Sequence, residues 1–173
     1  PTDLQSLLLE VYRQRAGRRK PADLLTDYET NRFVRPSILS PSRLLVWEQV
    51  LLSELPKEVE TLELSPVCPL GTSSVMAGVD QNWSVSTDRN TEVVSDATNV
   101  LALECALRRR QLLQTQPKSV ENVHLAASHR LLRAQKYDDP NASAHFRLFT
   151  LCSAGRDQGN LRFEFTMLMF QIR

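Results

Sequence analysis

The stretch "HRLLRAQKYDDPNASAHFRLFTLCSAGRD", His129 to Asp157, carries the side chains best placed to do chemistry. Arg130 and Arg133 stand on its first apolar arm and His145, Arg147 and Phe149 on its second, with a polar insert holding Asp138, Asp139, Pro140 and Asn141 between them. In a hairpin, cross-strand side chains on one face come within about 5 Å, so arginines from both arms converge on one patch. Guanidinium groups grip an anion bidentately, and a ring such as Phe149 lies flat against a planar heterocycle. Phosphate plus ring points to a nucleotide. A charged solvent face on an ordinary hairpin is the competing reading.

The elements that must position these residues alternate in type. Residues 2 to 13 place Leu4, Leu7, Leu8 and Val11 on one helical face behind a Thr or Asp cap. "AGRRKPAD" breaks that helix, and its basic cluster is most simply a solvated connector. A second helix spans about 41 to 54, with Pro41 suited to its first turn. "EVETLELSPVCP" alternates like a half-buried strand stopped by Pro66 and Pro69, and residues 75 to 95 read as two or three short strands joined by polar turns. "DATNVLALECALRRRQLLQ" offers Asp96 or Thr98 as a cap and about four helical turns ending in Arg108, Arg109 and Arg110, where cations suit the helix dipole. The two hairpin arms follow. In the final segment, 160 to 173, period-two alternation competes with a helical spacing of Phe163, Met167 and Phe170, and helix is favoured.

Composition bounds the possibilities. A chain of 173 residues that is 42% hydrophobic is long enough for one α+β or α/β domain with a real core. A net charge of +1 gives no global reason to expect a polyanionic partner. Cys68, Cys105 and Cys152 are far apart, odd in number and set in apolar sequence, which fits reduced buried thiols in a cytoplasmic protein. No apolar run approaches the roughly 20 residues of a membrane span, and the N-terminus lacks signal-peptide architecture. A start at Pro1 and an end inside "FTMLMFQIR" read as a piece of a longer polypeptide. Five glycines without a GxxxxGK or GxGxxG array leave no classical phosphate loop and no dinucleotide fingerprint, and a GxSxG elbow is absent too. "GTSS" at 71 to 74 reads as structural, and His124, His129 and His145 have no metal-ligand spacing, so no metal site is expected.

Arg133-Ala134-Gln135, a variable loop, and His145-Phe146-Arg147-Leu148-Phe149 together resemble motif 2 of class II aminoacyl-tRNA synthetases. "SRLLVWEQVLLSEL" leading into "VETLELSP" resembles motif 1, a helix feeding a strand that ends in a proline at a dimer interface, here Pro66. "EVVSDATNVLALECA" resembles the segment of histidyl-tRNA synthetase that binds the substrate's amino group, with Asp96 and Thr98 at the acid and threonine positions. Asp in place of Glu there is also similar to the regulatory subunit of ATP phosphoribosyltransferase, a synthetase paralogue that charges no tRNA. Asp96 and Thr98 are equally good helix caps, and capping alone is the plainer reading.

The resemblance covers residues 36 to 173 and leaves 1 to 35 as an N-terminal helical segment. It implies an α+β fold in which an antiparallel sheet is flanked by helices, and a homodimer through the Pro66 region. By the same resemblance Arg133 would hold the ATP α-phosphate and serve as the catalytic arginine, Gln135 would sit at the adenine edge, His145 would reach the β- or γ-phosphate, and Phe149 would stack on adenine. Asp96 and Thr98 would clamp the amino acid, and Mg²⁺ would bridge the phosphates. The implied chemistry is attack of an amino-acid carboxylate on the α-phosphorus, releasing pyrophosphate and leaving an acyl-adenylate, which needs positioning and charge stabilisation more than a protein nucleophile. A glycine-rich motif 3 with its arginine is missing, since "SAGRDQG" follows the hairpin too closely. No anticodon-binding domain is seen, so tRNA stays an open partner. The alternative function is a non-catalytic paralogue that senses a metabolite or regulates a partner enzyme.

Overall fold

A computed structural model describes residues 2–136, 138 and 143–172. Asp139, Pro140 and Asn141 of the polar insert lie outside the described residues. The elements run α1 (Thr2–Gly17), α2 (Pro21–Thr30), α3 (Pro41–Ser53), β1 (Glu60–Thr61), β2 (Val67–Pro69), α4 (Thr72–Ala77), a 3-10 turn (Gln81–Trp83), β3 (Thr91–Val93), α5 (Ala97–Thr115), β4 (Val123–Leu132), β5 (His145–Ala154) and α6 (Arg162–Gln171).

The fold is α+β. Its main sheet is mixed rather than antiparallel: the order is β1-β4-β5, with β4 and β5 antiparallel over their full length and β1 parallel to β4. The expected strand at 58 to 69 is divided in two. Leu62 N–H still bonds to Ala126 O at 2.9 Å, after which the chain leaves β4, and Val67–Pro69 pairs with β3 instead. The two or three strands expected between 75 and 95 reduce to β3 alone with a bridge from Ser86 to Glu92. In their place stand α4 and the 3-10 turn. Gly71 (φ 90°) and Gly78 (φ 64°) bracket α4 in left-handed conformations that glycine adopts at little cost, which confines it to six residues.

Burial follows the strand alternation. On β4 the odd positions Leu125, Ala127 and Leu131 pack against a stripe of α5 formed by Ala97, Leu101 and Cys105, all nearly free of solvent contact. A leucine buried this way contributes about 2 kcal/mol. Val94 and Cys68 extend the core under the β2–β3 pair. The opposite face of the hairpin meets α3 through Glu48, which accepts from Ser128 and Arg147, and α6 through His124, whose ring lies 4.5 Å from that of Phe170. Gly155, just past β5, lets Asn122 and Phe163 approach where a Cβ would collide with both.

The first three helices are attached differently. No described residue of α1, α2 or α3 is buried, and Leu4, Leu7, Leu24, Leu25, Leu45 and Trp47 stand exposed. Helix α2 begins inside the connector expected at 16 to 23 and runs on through the N-terminal helical segment, and its start is written in the sequence: Pro21 takes the first turn and Asp23 accepts from the Lys20 backbone N–H at 2.9 Å. Arg108 lies before the last turn of α5, which runs on to Thr115. Instead of the helix dipole it serves two carboxylates, Glu104 at 2.8 Å and Glu60 on β1. Cys68 and Cys105 are buried, Cys152 is half-buried, and all three are free thiols.

Candidate functional site

Register decides which of the expected residues meet. Phe149 pairs with Ser128, Arg147 with Arg130 and His145 with Leu132, so the side chains of these residues share the face opposite Leu125 and Leu131. Leu131 pairs with Phe146, and the Arg133 guanidinium sits over the Phe146 ring, 5.2 Å from its centroid. Arg133 therefore belongs to the α5 side. It lies an odd step along the chain from Ser128, and strand alternation puts it across the sheet from Phe149. The expectation that Arg133, His145 and Phe149 converge on one patch is corrected by this geometry.

The structure instead joins Arg133 to Asp96. Arg133 Nε donates to Ser95 O at 3.1 Å, and its Nη2 lies 3.4 Å from Asp96 Oδ2. Both side chains are about one-third exposed (32% and 34%), so this is a solvated pair and not a buried one. Asp96 also caps α5: its Oδ1 accepts from Thr98 N at 2.9 Å and from Thr98 Oγ1 at 2.6 Å. Capping and pairing use different oxygens of one carboxylate. Thr98 turns its hydroxyl to the cap, leaving Asp96 as the member of the two that meets Arg133.

Around the pair lies a cavity of about 210 Å³, lined by Ala77, Val79, Trp83, Ser95, Asp96, Asn99, Arg133 and Gln135. Gln135 thus stays beside Arg133, as alternation over two residues requires. The far wall is held by a residue the sequence reading passed over. Glu92 is buried, and its carboxylate accepts from Gly71 N at 2.9 Å, Ser73 N at 2.8 Å and Gln81 Nε2 at 2.6 Å. Burial works to raise its pKa, but the bond from Gln81 and those from Ser73 and Gly71 prevail and hold it below the ordinary carboxylate value. The signal available was an acidic residue inside an apolar strand, "TEVV".

A second cavity, of about 350 Å³, opens at the free edge of β4 in the gap left where the chain departs after Leu62, with lining residues from both faces of the strand. Phe33, Glu63, Pro66, His129, Arg130, His145 and Arg147 contribute to its lining. His145 is here. Its Nε2 donates to Arg35 O at 2.6 Å and its Nδ1 accepts from Arg130 Nη1 at 2.9 Å, which fixes the ring as the Nε2–H tautomer. His129 is buried, its pKa is lowered by that burial, and its Nε2 has no hydrogen-bond partner among the described residues. Pro66, the expected dimer-edge residue, is exposed, and its carbonyl accepts from Val94 N at 3.1 Å.

No described helix is long and apolar enough to cross a membrane. No protein-family model matches the chain, and no curated protein matches it. Among solved structures it is similar to an ATP phosphoribosyltransferase regulatory subunit/histidyl-tRNA synthetase from Bacillus halodurans, with a TM-score of 0.42 and 18% sequence identity over 72% of this chain. This chain spans 30% of the length of that one.

Proposed function

We propose that the chain is a synthetase-like module that binds a small amino-acid-like metabolite between Asp96 and Arg133 without activating it. One observation carries this reading: a carboxylate and a guanidinium 3.4 Å apart line a single small cavity, while His145 and Phe149 lie across the sheet. A zwitterion would set its ammonium on Asp96 and its carboxylate on Arg133, two charge-assisted bonds in place of one long contact. At about 210 Å³ the cavity is smaller than the roughly 300–1,000 Å³ that takes drug-sized ligands, which suits an amino acid better than a nucleoside triphosphate.

Adenylate formation with ATP and Mg²⁺ requires Arg133, His145 and Phe149 to act on one nucleotide, and their separation favours the sensing or regulatory alternative. The homodimer through Pro66 and any contact with tRNA rest on the motif resemblance, and sedimentation and gel-shift measurements test them. The deciding experiment is a thermal-shift titration with the proteinogenic amino acids, with and without Mg-ATP, run beside ATP–pyrophosphate exchange. A midpoint rise with a subset of amino acids in the absence of ATP is expected, lost in Asp96→Asn, where asparagine preserves the cap. Exchange that disappears in Arg133→Ala would overturn the reading in favour of the adenylate-forming one.

A further inference from the structure

We propose that Cys105 and Cys152 form a reversible oxidation site, a dithiol that a small hydroperoxide closes to a disulfide between α5 and β5. Of the three cysteines, these two meet. Cys152 pairs with Leu125 across the hairpin, so strand alternation turns its side chain to the α5 side, where it packs against the cluster of Leu101, Cys105 and Leu125. Cys105 Sγ lies 3.9 Å from Cys152 O, and the two thiols share a side-chain hydrogen bond. Helix and strand thus bring together two sulfurs that stand 47 residues apart in the chain. Cys68 is kept from them. It is buried in a separate cluster with Val94, Ala97 and Leu131, its Sγ donates to Glu92 O at 3.6 Å, and burial pushes its thiol pKa up.

Access assigns the roles. Cys105 is 1% exposed, whereas Cys152 is half-buried on β5, the edge strand of the β1-β4-β5 sheet. A hydroperoxide therefore meets Cys152 first. The hydrogen bond between the thiols favours the same order, because it holds the Cys152 thiol below its ordinary pKa and, together with burial, pushes that of Cys105 up. With hydrogen peroxide, the Cys152 thiolate attacks one oxygen: an S–O bond forms, the O–O bond breaks, and the other oxygen leaves with protons as water. Cys105 sulfur then displaces the hydroxyl of that sulfenic acid, forming the S–S bond, and its proton leaves with the hydroxyl as a second water. The two thiols give up two electrons and two protons, and the peroxide takes up both.

The test treats the full chain, reduced and native, with equimolar hydrogen peroxide, then alkylates the remaining thiols in denaturant and maps the peptides. A single cross-linked pair joining Cys105 to Cys152 is expected, released by dithiothreitol, with Cys68 alkylated throughout. Dimedone present during the reaction should label Cys152, and in Cys105→Ser, which lacks the resolving sulfur, that label should accumulate. Cys152→Ser should consume peroxide about tenfold more slowly than the wild type, since the exposed nucleophile is gone. Unfolding midpoints verify that the variants fold, and the wild-type peptide map decides by itself if one does not. Three thiols still free after peroxide, a cross-link that includes Cys68, or dimedone on Cys105 ahead of Cys152 would overturn the proposal.

Discussion

Two cavities flank one hairpin, and they are built on different ground. The Asp96–Arg133 cavity has a wall, residues 71 to 84, fastened by the buried Glu92 carboxylate, and a floor made by Ser95, Asp96 and Asn99 at the start of α5. The His129–Arg130 cavity leans on the segment after α2, which carries no buried residue and is tied by two side-chain links, Arg32 to Ala134 O at 2.5 Å and His145 to Arg35 O. Each has one unpartnered buried polar atom among the described residues, Ser84 Oγ at the end of the first wall and His129 Nε2 beside the second, so what separates them is the buried hub and not the count of orphans. The difference teaches that a preformed site comes from a buried hub, and an adaptable one from an edge held by its rim.

Breaking the hub should have the largest effect. Glu92→Ala orphans the Gly71 and Ser73 N–H groups and the Gln81 amide together, and we expect a loss of about 3–4 kcal/mol in urea unfolding, since leaving several buried donors unmatched is costly. Amino-acid binding at the first cavity should go with it.

The pH dependence sharpens the same point. The folded pKa of Glu92 lies below its ordinary value of 4.5, so its contribution is fully present above that value and fades as the pH falls through the lowered one. Unfolding free energy of the wild type should therefore decline below about pH 4.5 more steeply than that of Glu92→Gln. Parallel curves would remove Glu92 from the hub.

A smaller effect tests the rim. His145→Ala cuts the link to Arg35 O, and a loss of about 1 kcal/mol is expected, with proteolysis between residues 31 and 40 accelerated and the first cavity unaffected. Thr98→Ala should be milder still, about 0.5 kcal/mol, because Asp96 keeps its bond from the Thr98 backbone N–H when the hydroxyl is gone. Equal losses from His145→Ala and Glu92→Ala would erase the contrast between the two regions.

Much of this fold is legible in the sequence, and the illegible part has physical causes. The β4–β5 hairpin and α5 declare themselves because their apolar periodicities are long and unbroken. Helix α6 carried both periods, and packing resolved it into Arg162–Gln171. Helices α2 and α4 are short and punctuated by Pro21 and by Gly71 and Gly78, and their terminal signals outweigh their apolar content. The break at Pro66 that sends the chain from β4 to β3 depends on tertiary pairing.

At the candidate site, the motif resemblance singled out Arg133, Gln135 and Asp96 for separate roles, and the structure puts all three on the wall of one cavity. Spacing could not find cross-strand register. A single odd step between Arg133 and the partner of Phe149 divides the expected nucleotide clamp between two faces.

The central claim is that Asp96 and Arg133 hold an amino-acid-sized zwitterion on one side of the hairpin, independently of the residues on the other. Backbone amide NMR of the wild-type chain during titration with amino acids, then with Mg-ATP, tests it most directly. The account predicts saturable shifts confined to Ser95–Asn99 and the vicinity of Arg133 with an amino acid alone. Joint shifts at Arg133, His145 and Phe149 that require Mg-ATP would contradict it.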